Sequence, residues 1–238
     1  EQAGLLVVYK PAGWASEPTP RSSRSVVTEL AAARGGGTVH AASRLDVGVS
    51  GLMLCSVDRS GARLVERLRR DRKIRRRYVA LLAGRLPPQG SWTTALGRSR
   101  NGAGRVRSTA TAAETKNART DFVTVATASD VLPVSLVVLE LFTGRLHQIR
   151  AHAATAQAPV LGDRRYGGPS SVALADGRVL AMDRLALHAA HLQVGDLLSV
   201  TAPPPPPLRD WWAHIGGEAR AWTSAERRLE SASRLDER

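Results

Sequence analysis

Residues 39–58 read VHAASRLDVGVSGLMLCSVD, and the fold is read outward from them. Arg44 and Asp46 stand between a Gly/Ala-rich approach and the apolar run Leu52–Val57. That run is short, continuous and followed by a polar stop, the pattern of a strand buried on both faces. Asp46 has Leu45 before it and Val47 and Val49 after it. An acid so placed is either a turn cap or a carboxylate held for chemistry, and position alone leaves both open.

Further strands are expected at Leu5–Tyr9, Arg75–Ala83, Thr120–Ala126, Ser135–Phe142 and Leu197–Thr201, where apolar or β-branched residues run between turn signals. Lys10-Pro11-Ala12-Gly13 ends the first. Helices are expected over Ser25–Ala33, capped by Ser22 or Ser23, and from an Asp58 or Ser60 cap to about Arg70. Arg145–Gln157 has helical composition, ending before Pro159. Strands outnumber helices without strict βαβ alternation, so the fold class is α+β with a mixed, mainly antiparallel sheet. We expect one domain over 1–202. The Pro203–Pro207 run then reads as a rigid spacer that interrupts regular structure. Residues 203–238 form a C-terminal helical appendage, with a capping box at Thr223 and Glu226 and with Trp211, Trp212 and Trp222 as docking groups.

The chain has 238 residues and a formal net charge of +13, which points to an anionic partner, nucleic acid first. Lys10, Lys73 and Lys116 are its lysines, so arginine carries nearly all the positive charge. Eight basic residues crowd Arg67–Arg77 against Asp71 alone, a density that favours phosphate contact. The Gly/Arg-rich stretch Gly97–Arg107 reads as a basic hairpin loop. The lone Cys55 excludes an internal disulfide and a Cys-based zinc cluster, and its apolar setting marks a buried thiol. No apolar run approaches the ~20 residues of a membrane helix. Together these features suggest a cytoplasmic protein, with a monomer as the default.

Several chemistries are disfavoured by spacing. His147 and His152 lie five apart, on different helix faces, whereas a two-histidine zinc site on one helix uses i, i+4. His188 and His191 sit in apolar surroundings and read as core histidines. Neither a nucleophile elbow, a Walker motif nor a dinucleotide fingerprint occurs. A carboxylate, arginines and an aromatic in a basic chain remain.

Ordered motifs extend that set: LLVVYKPAG (5–13), SRLDVGVSGLML (43–54), RRRYVALLAG (75–84), KNARTDFVTV (116–125), TGRLHQIRAH (143–152), PVLGDRRYGG (159–168) and LALHAAHL (185–192). In these the chain resembles the RluA-type pseudouridine synthases over most of Leu5–Val200. The resemblance implies isomerisation of uridine in ribosomal or transfer RNA, without metal or cofactor. It implies Asp46 as the catalytic carboxylate, Tyr78 against the base, Arg150 paired with Asp46, and Arg44 contacting RNA or the flipped nucleotide. Ser43 stands where that family usually has His, Val49 where it has Thr, and Tyr9 where it commonly has an acid. Two other readings are a non-catalytic RNA-binding protein on the same scaffold and a carboxylate-dependent glycosidase. The second lacks a convincing partner carboxylate.

Overall fold

The computed structural model describes residues 1–20, 23–98, 106–108, 115–128, 131–231 and 235. In chain order it begins with β1 (Leu5–Lys10), α1 (Val26–Ala33), β2 (His40–Ala41), β3 (Ser50–Ser56), α2 (Arg59–Arg70) and β4 (Ile74–Ala83). There follow β5 (Gln89–Trp92), β6 (Leu96–Arg98), β7 (Val106–Ser108), β8 (Thr120–Ala128), β9 (Val134–Leu141) and α3 (Gln148–Thr155). The chain ends with β10 (Ser171–Ala173), β11 (Val179–Ala181), β12 (Leu187–Val194), β13 (Leu198–Thr201), α4 (Pro206–His214) and α5 (Arg220–Glu230). The α+β expectation holds. The chain divides into two compact units, Glu1–Arg76 with His188–Pro203, and Arg77–Leu187 with Pro204–Arg238.

The first unit is built on β3. One edge of β3 takes β1 antiparallel, from Leu5 opposite Ser56 to Lys10 opposite Gly51. The other edge is shared by β12, parallel at Ser50 and Gly51, and β2, antiparallel at Cys55 and Ser56. Both faces of β3 are covered, which explains its unbroken apolar sequence. Leu52 and Leu54 pack with Val65 and Leu68 of α2, whereas Met53 and Cys55 pack with Val26 and Val27 of α1. Gly51 is obligatory at this junction, because a Cβ there would lie 2.2 Å from the Ala189 carbonyl oxygen. Burial pushes the Cys55 thiol up to about 11, so it is inert at neutral pH.

Asp58 caps α2 as expected, accepting from Gly61 N. The cap of α1 is corrected. Ser25 forms a reciprocal capping box with Thr28, while Ser23 contributes only a backbone carbonyl; Ser22 lies outside the described residues.

In the second unit β4, β9, β8 and β5 are successive antiparallel neighbours. Val79–Leu82 and Leu136–Leu139 are fully buried. β6 and β7 form the arms of the basic hairpin expected at Gly97–Arg107, whose Arg100 and Arg105 lie outside the described residues.

The proline run interrupts regular structure only in part: residues 202–205 lie in neither a strand nor a helix. Pro206 and Pro207 open α4, where the missing N–H is one the helix would leave unbonded anyway. No capping box forms at Thr223 either, since α5 begins at Arg220 and Thr223 lies inside it. Ala232 is outside the described residues.

Trp211, Trp212 and Trp222 are all buried, and Trp212 Nε1 donates to the Glu218 carbonyl at 3.0 Å. Arg77 also turns inward instead of joining a basic surface. Its Nε donates to Glu140 at 3.1 Å, and its Nη1 donates to the carbonyls of Arg228, Leu229 and Ser231 at 2.6–3.0 Å. Arg228 and Leu229 belong to the last turn of α5, whose carbonyls lack helical partners, so Arg77 caps that helix.

Candidate active site

Asp46 sits in the turn before β3, closed by Val49 N donating to the Asp46 carbonyl at 3.0 Å. Backbone bonds to its neighbours hold this turn from both sides. Ser16 Oγ donates to the Leu45 carbonyl at 2.9 Å and accepts from Leu45 N at 3.0 Å. After Asp46, the Val47 carbonyl accepts from Gly13 N at 2.7 Å and from Lys10 Nζ at 3.2 Å. The fully buried Lys10 ammonium also donates to the carbonyls of Pro11 and Trp14, at 3.0 and 2.7 Å. The KPAG turn and the RLDV turn are therefore one construction, tied through a lysine.

Lys10 and Ser16 were not legible as site residues, because a lysine beside Pro-Ala-Gly looks like a solvated turn. Lys10→Met would keep the stem but leave three carbonyls without this donor. We expect it to cost about 1–3 kcal/mol of the first unit's stability. Denaturant titration would check this, and an unchanged midpoint would refute the clamp.

Ser43, at the departure beside Asp46, accepts from Leu54 N at 2.8 Å, so its hydroxyl extends the sheet bonding of β3. Val49 is a core residue. Arg44 is exposed, with Nη1 3.2 Å from Glu17 Oε2. Tyr9 is half exposed, its ring 5.9 Å from that of His188.

Tyr78 and Arg150 lie in the second unit. Tyr78 is buried on β4, in register with Leu139. Arg150, on α3, is held in a bidentate pair: Nε and Nη2 donate to the two Asp163 oxygens at 2.7 and 2.8 Å. Its guanidinium stacks on Tyr166, 5.0 Å from the ring centroid, and Tyr166 hydroxyl meets His147 Nδ1 at 2.9 Å. Asp163 and Tyr166 belong to the quoted PVLGDRRYGG motif, which thus acts as the cradle of an arginine from another motif. His147 itself takes a left-handed φ of 52° where α3 begins.

The remaining polar residues of α3 anchor the helix. Gln148 accepts from Thr143 Oγ1 and Arg145 N, and donates to Arg119 O and Thr120 Oγ1. His152 Nε2 lies 2.9 Å from the Thr94 carbonyl, which can only accept, so that nitrogen carries the proton. Nδ1 then accepts from Thr120 Oγ1 at 3.0 Å.

Burial holds the His152 pKa below its ordinary 6.5. The unfolded chain therefore binds more protons than the folded one below that pH, and stability is lost as pH falls. We expect the urea midpoint of the second unit to drop between about pH 7.5 and pH 5.5. His152→Gln should flatten the dependence, and an unaltered dependence would refute it.

A family profile described as RNA pseudouridylate synthase matches residues 4–155. The chain belongs to the RNA pseudouridylate synthase family. It is 30% identical over 201 residues to the dual-specificity RNA pseudouridine synthase RluA of Escherichia coli, covering 84% of each chain. An uncharacterized RNA pseudouridine synthase of Mycobacterium tuberculosis is 32% identical over 188 residues, and the match spans only 57% of that protein's length and 76% of this chain. Among solved structures, human RNA pseudouridylate synthase domain containing 1 superposes with a TM-score of 0.71 at 26% identity, over 94% of this chain and 91% of that one. Among the described residues, no helix is long and apolar enough to cross a membrane.

Proposed function

We propose that this chain isomerises uridine to pseudouridine in a structured ribosomal or transfer RNA, acting as a cytoplasmic monomer. The observation that carries the reading is the double clamp on the Asp46 turn. Ser16 fixes the residue before Asp46, and Lys10 with Gly13 fixes the residue after it. A carboxylate that serves only as a turn cap needs no such support, whereas one that acts at a reacting carbon must be held in place.

In the reaction the N1–C1′ bond breaks, the uracil turns while bound, and C5 bonds to C1′. The C5 proton leaves and N1 gains one. Positive charge develops at C1′ as the glycosidic bond opens, and the Asp46 carboxylate acts there. Tyr78 stacks on the flipped base, offsetting part of the unstacking cost of about a few kcal/mol. Arg150, oriented by Asp163 and Tyr166, is assigned as the charge partner of Asp46, and the exposed Arg44 contacts the RNA backbone.

Pseudouridine mapping of total RNA tests this, from cells with the wild-type gene, with Asp46→Ala and with a deletion. A site lost in the deletion and restored only by the wild type is expected. If no site depends on the protein and Asp46→Ala repairs every defect of the deletion, the chain is a non-catalytic RNA-binding protein.

A further inference from the structure

The helix α2 carries a second feature that the Asp46 chemistry does not use. At 100° per residue, Arg59, Arg63, Arg67 and Arg70 fall within an arc of about 80°. They lie opposite the buried Gly61, Val65 and Leu68. All four are exposed, and among the described residues none of them makes an ion pair or a side-chain hydrogen bond. Some other exposed arginines do: Arg24 with Glu29, Arg34 with Glu1, Arg178 with Asp176, and Arg220 with Glu218.

The fold gives only part of this stripe a reason. Arg67 and Arg70 lie in the last turn, where positive charge suits the helix dipole. Arg59 is the first helical residue, where positive charge opposes the dipole beside the Asp58 cap, and Arg63 lies one turn on, where the dipole neither favours nor opposes it. Glu66 sits at the edge of the stripe and pairs with none of them. Four like charges on one face, spaced three and four apart, are an intramolecular cost that an external polyanion removes.

We propose that the solvent face of α2 is a binding surface for the phosphate backbone of RNA, separate from the Asp46 turn. It rests on RNA being the partner of this chain. The stripe is about 16 Å long, over which a nucleic-acid strand presents several phosphates. Its first member lies at the far end of β3 from Asp46, about 20 Å away along the strand. At its Arg59 end the surface grips the RNA at a distance from the reacting uridine, adding affinity without reading bases.

The test is binding of a fluorescein-labelled hairpin RNA, a uridine-containing loop on an A-form stem, over a range of salt. The variant is R59Q/R63Q/R67Q/R70Q, in which glutamine keeps helix propensity and the buried face is untouched. The control, R24Q/R34Q/R178Q/R220Q, removes the same charge from the paired arginines. We expect the α2 variant to lose at least about tenfold in affinity, and its log–log salt slope to fall by about 3. The control should stay near wild type. Equal losses in both would mean that net charge alone acts, and no loss in the folded α2 variant, checked by circular dichroism, would mean a solvated face. Either result overturns the proposal. Because binding is read without turnover, a wild type that binds but never isomerises would sink the synthase reading and leave this surface standing.

Discussion

Asp46→Asn is expected to slow isomerisation by at least about 10²–10⁴-fold while RNA affinity stays close to that of wild type. The contacts explain the split. The Asp46 turn is held through the backbone of Leu45 and Val47, by Ser16, Gly13 and Lys10, and none of these bonds uses the Asp46 side chain. The turn should keep its shape when the carboxylate becomes an amide of the same size. RNA affinity comes chiefly from arginine–phosphate contacts, which the substitution does not touch. The measurement is single-turnover release of tritium from C5 of uridine in an RNA that carries the mapped site, alongside a direct binding titration. An asparagine variant that turns over within tenfold of wild type would remove Asp46 from the chemistry and restore the turn-cap reading.

The second large effect is on stability. Arg77→Met should destabilise the second unit by about 3–5 kcal/mol. Arg77 and Glu140 are 1% and 3% exposed, so losing the guanidinium takes a counter-charge from a buried carboxylate. It also removes the donor to three carbonyls at the end of α5. Fluorescence reports this unit well, because Trp92, Trp211, Trp212 and Trp222 lie in it. The double variant Arg77→Met/Glu140→Leu removes both charges and should recover part of the loss, with the unbonded carbonyls accounting for the remainder. If Arg77→Met alone shifts stability by less than about 1 kcal/mol, the pair behaves as a surface salt bridge and the capping role is wrong.

What the chain order alone determined was the strands whose burial pattern is written into residue type. The run Leu52–Val57 read as a two-sided buried strand, and β3 has a helix on each face. Likewise β4, β8 and β9 were legible from β-branched and apolar runs between turn residues, and Asp58 from a polar cap before an amphipathic helix. The motifs around Asp46, Arg44, Tyr78 and Arg150 were legible as an ordered set resembling one family, and the family profile matches residues 4–155. Such an order needs no geometry.

Tertiary structure decided where the versatile groups went. Ser22, Ser23 and Ser25 offer the same hydroxyl, and Thr28 selected Ser25. Within one run of arginines, those on α2 point to solvent, whereas Arg77 is drawn inward by Glu140 and by the carbonyls of α5, more than fifty residues away in sequence. Lys10 could have been a solvated surface charge, and three carbonyls converging on one point made it the pin of the Asp46 turn. The physical reason is common to all of these. Burial of apolar side chains is fixed by composition and period, which are local, whereas a polar group settles wherever donors and acceptors meet away from water, and only the folded chain brings them together.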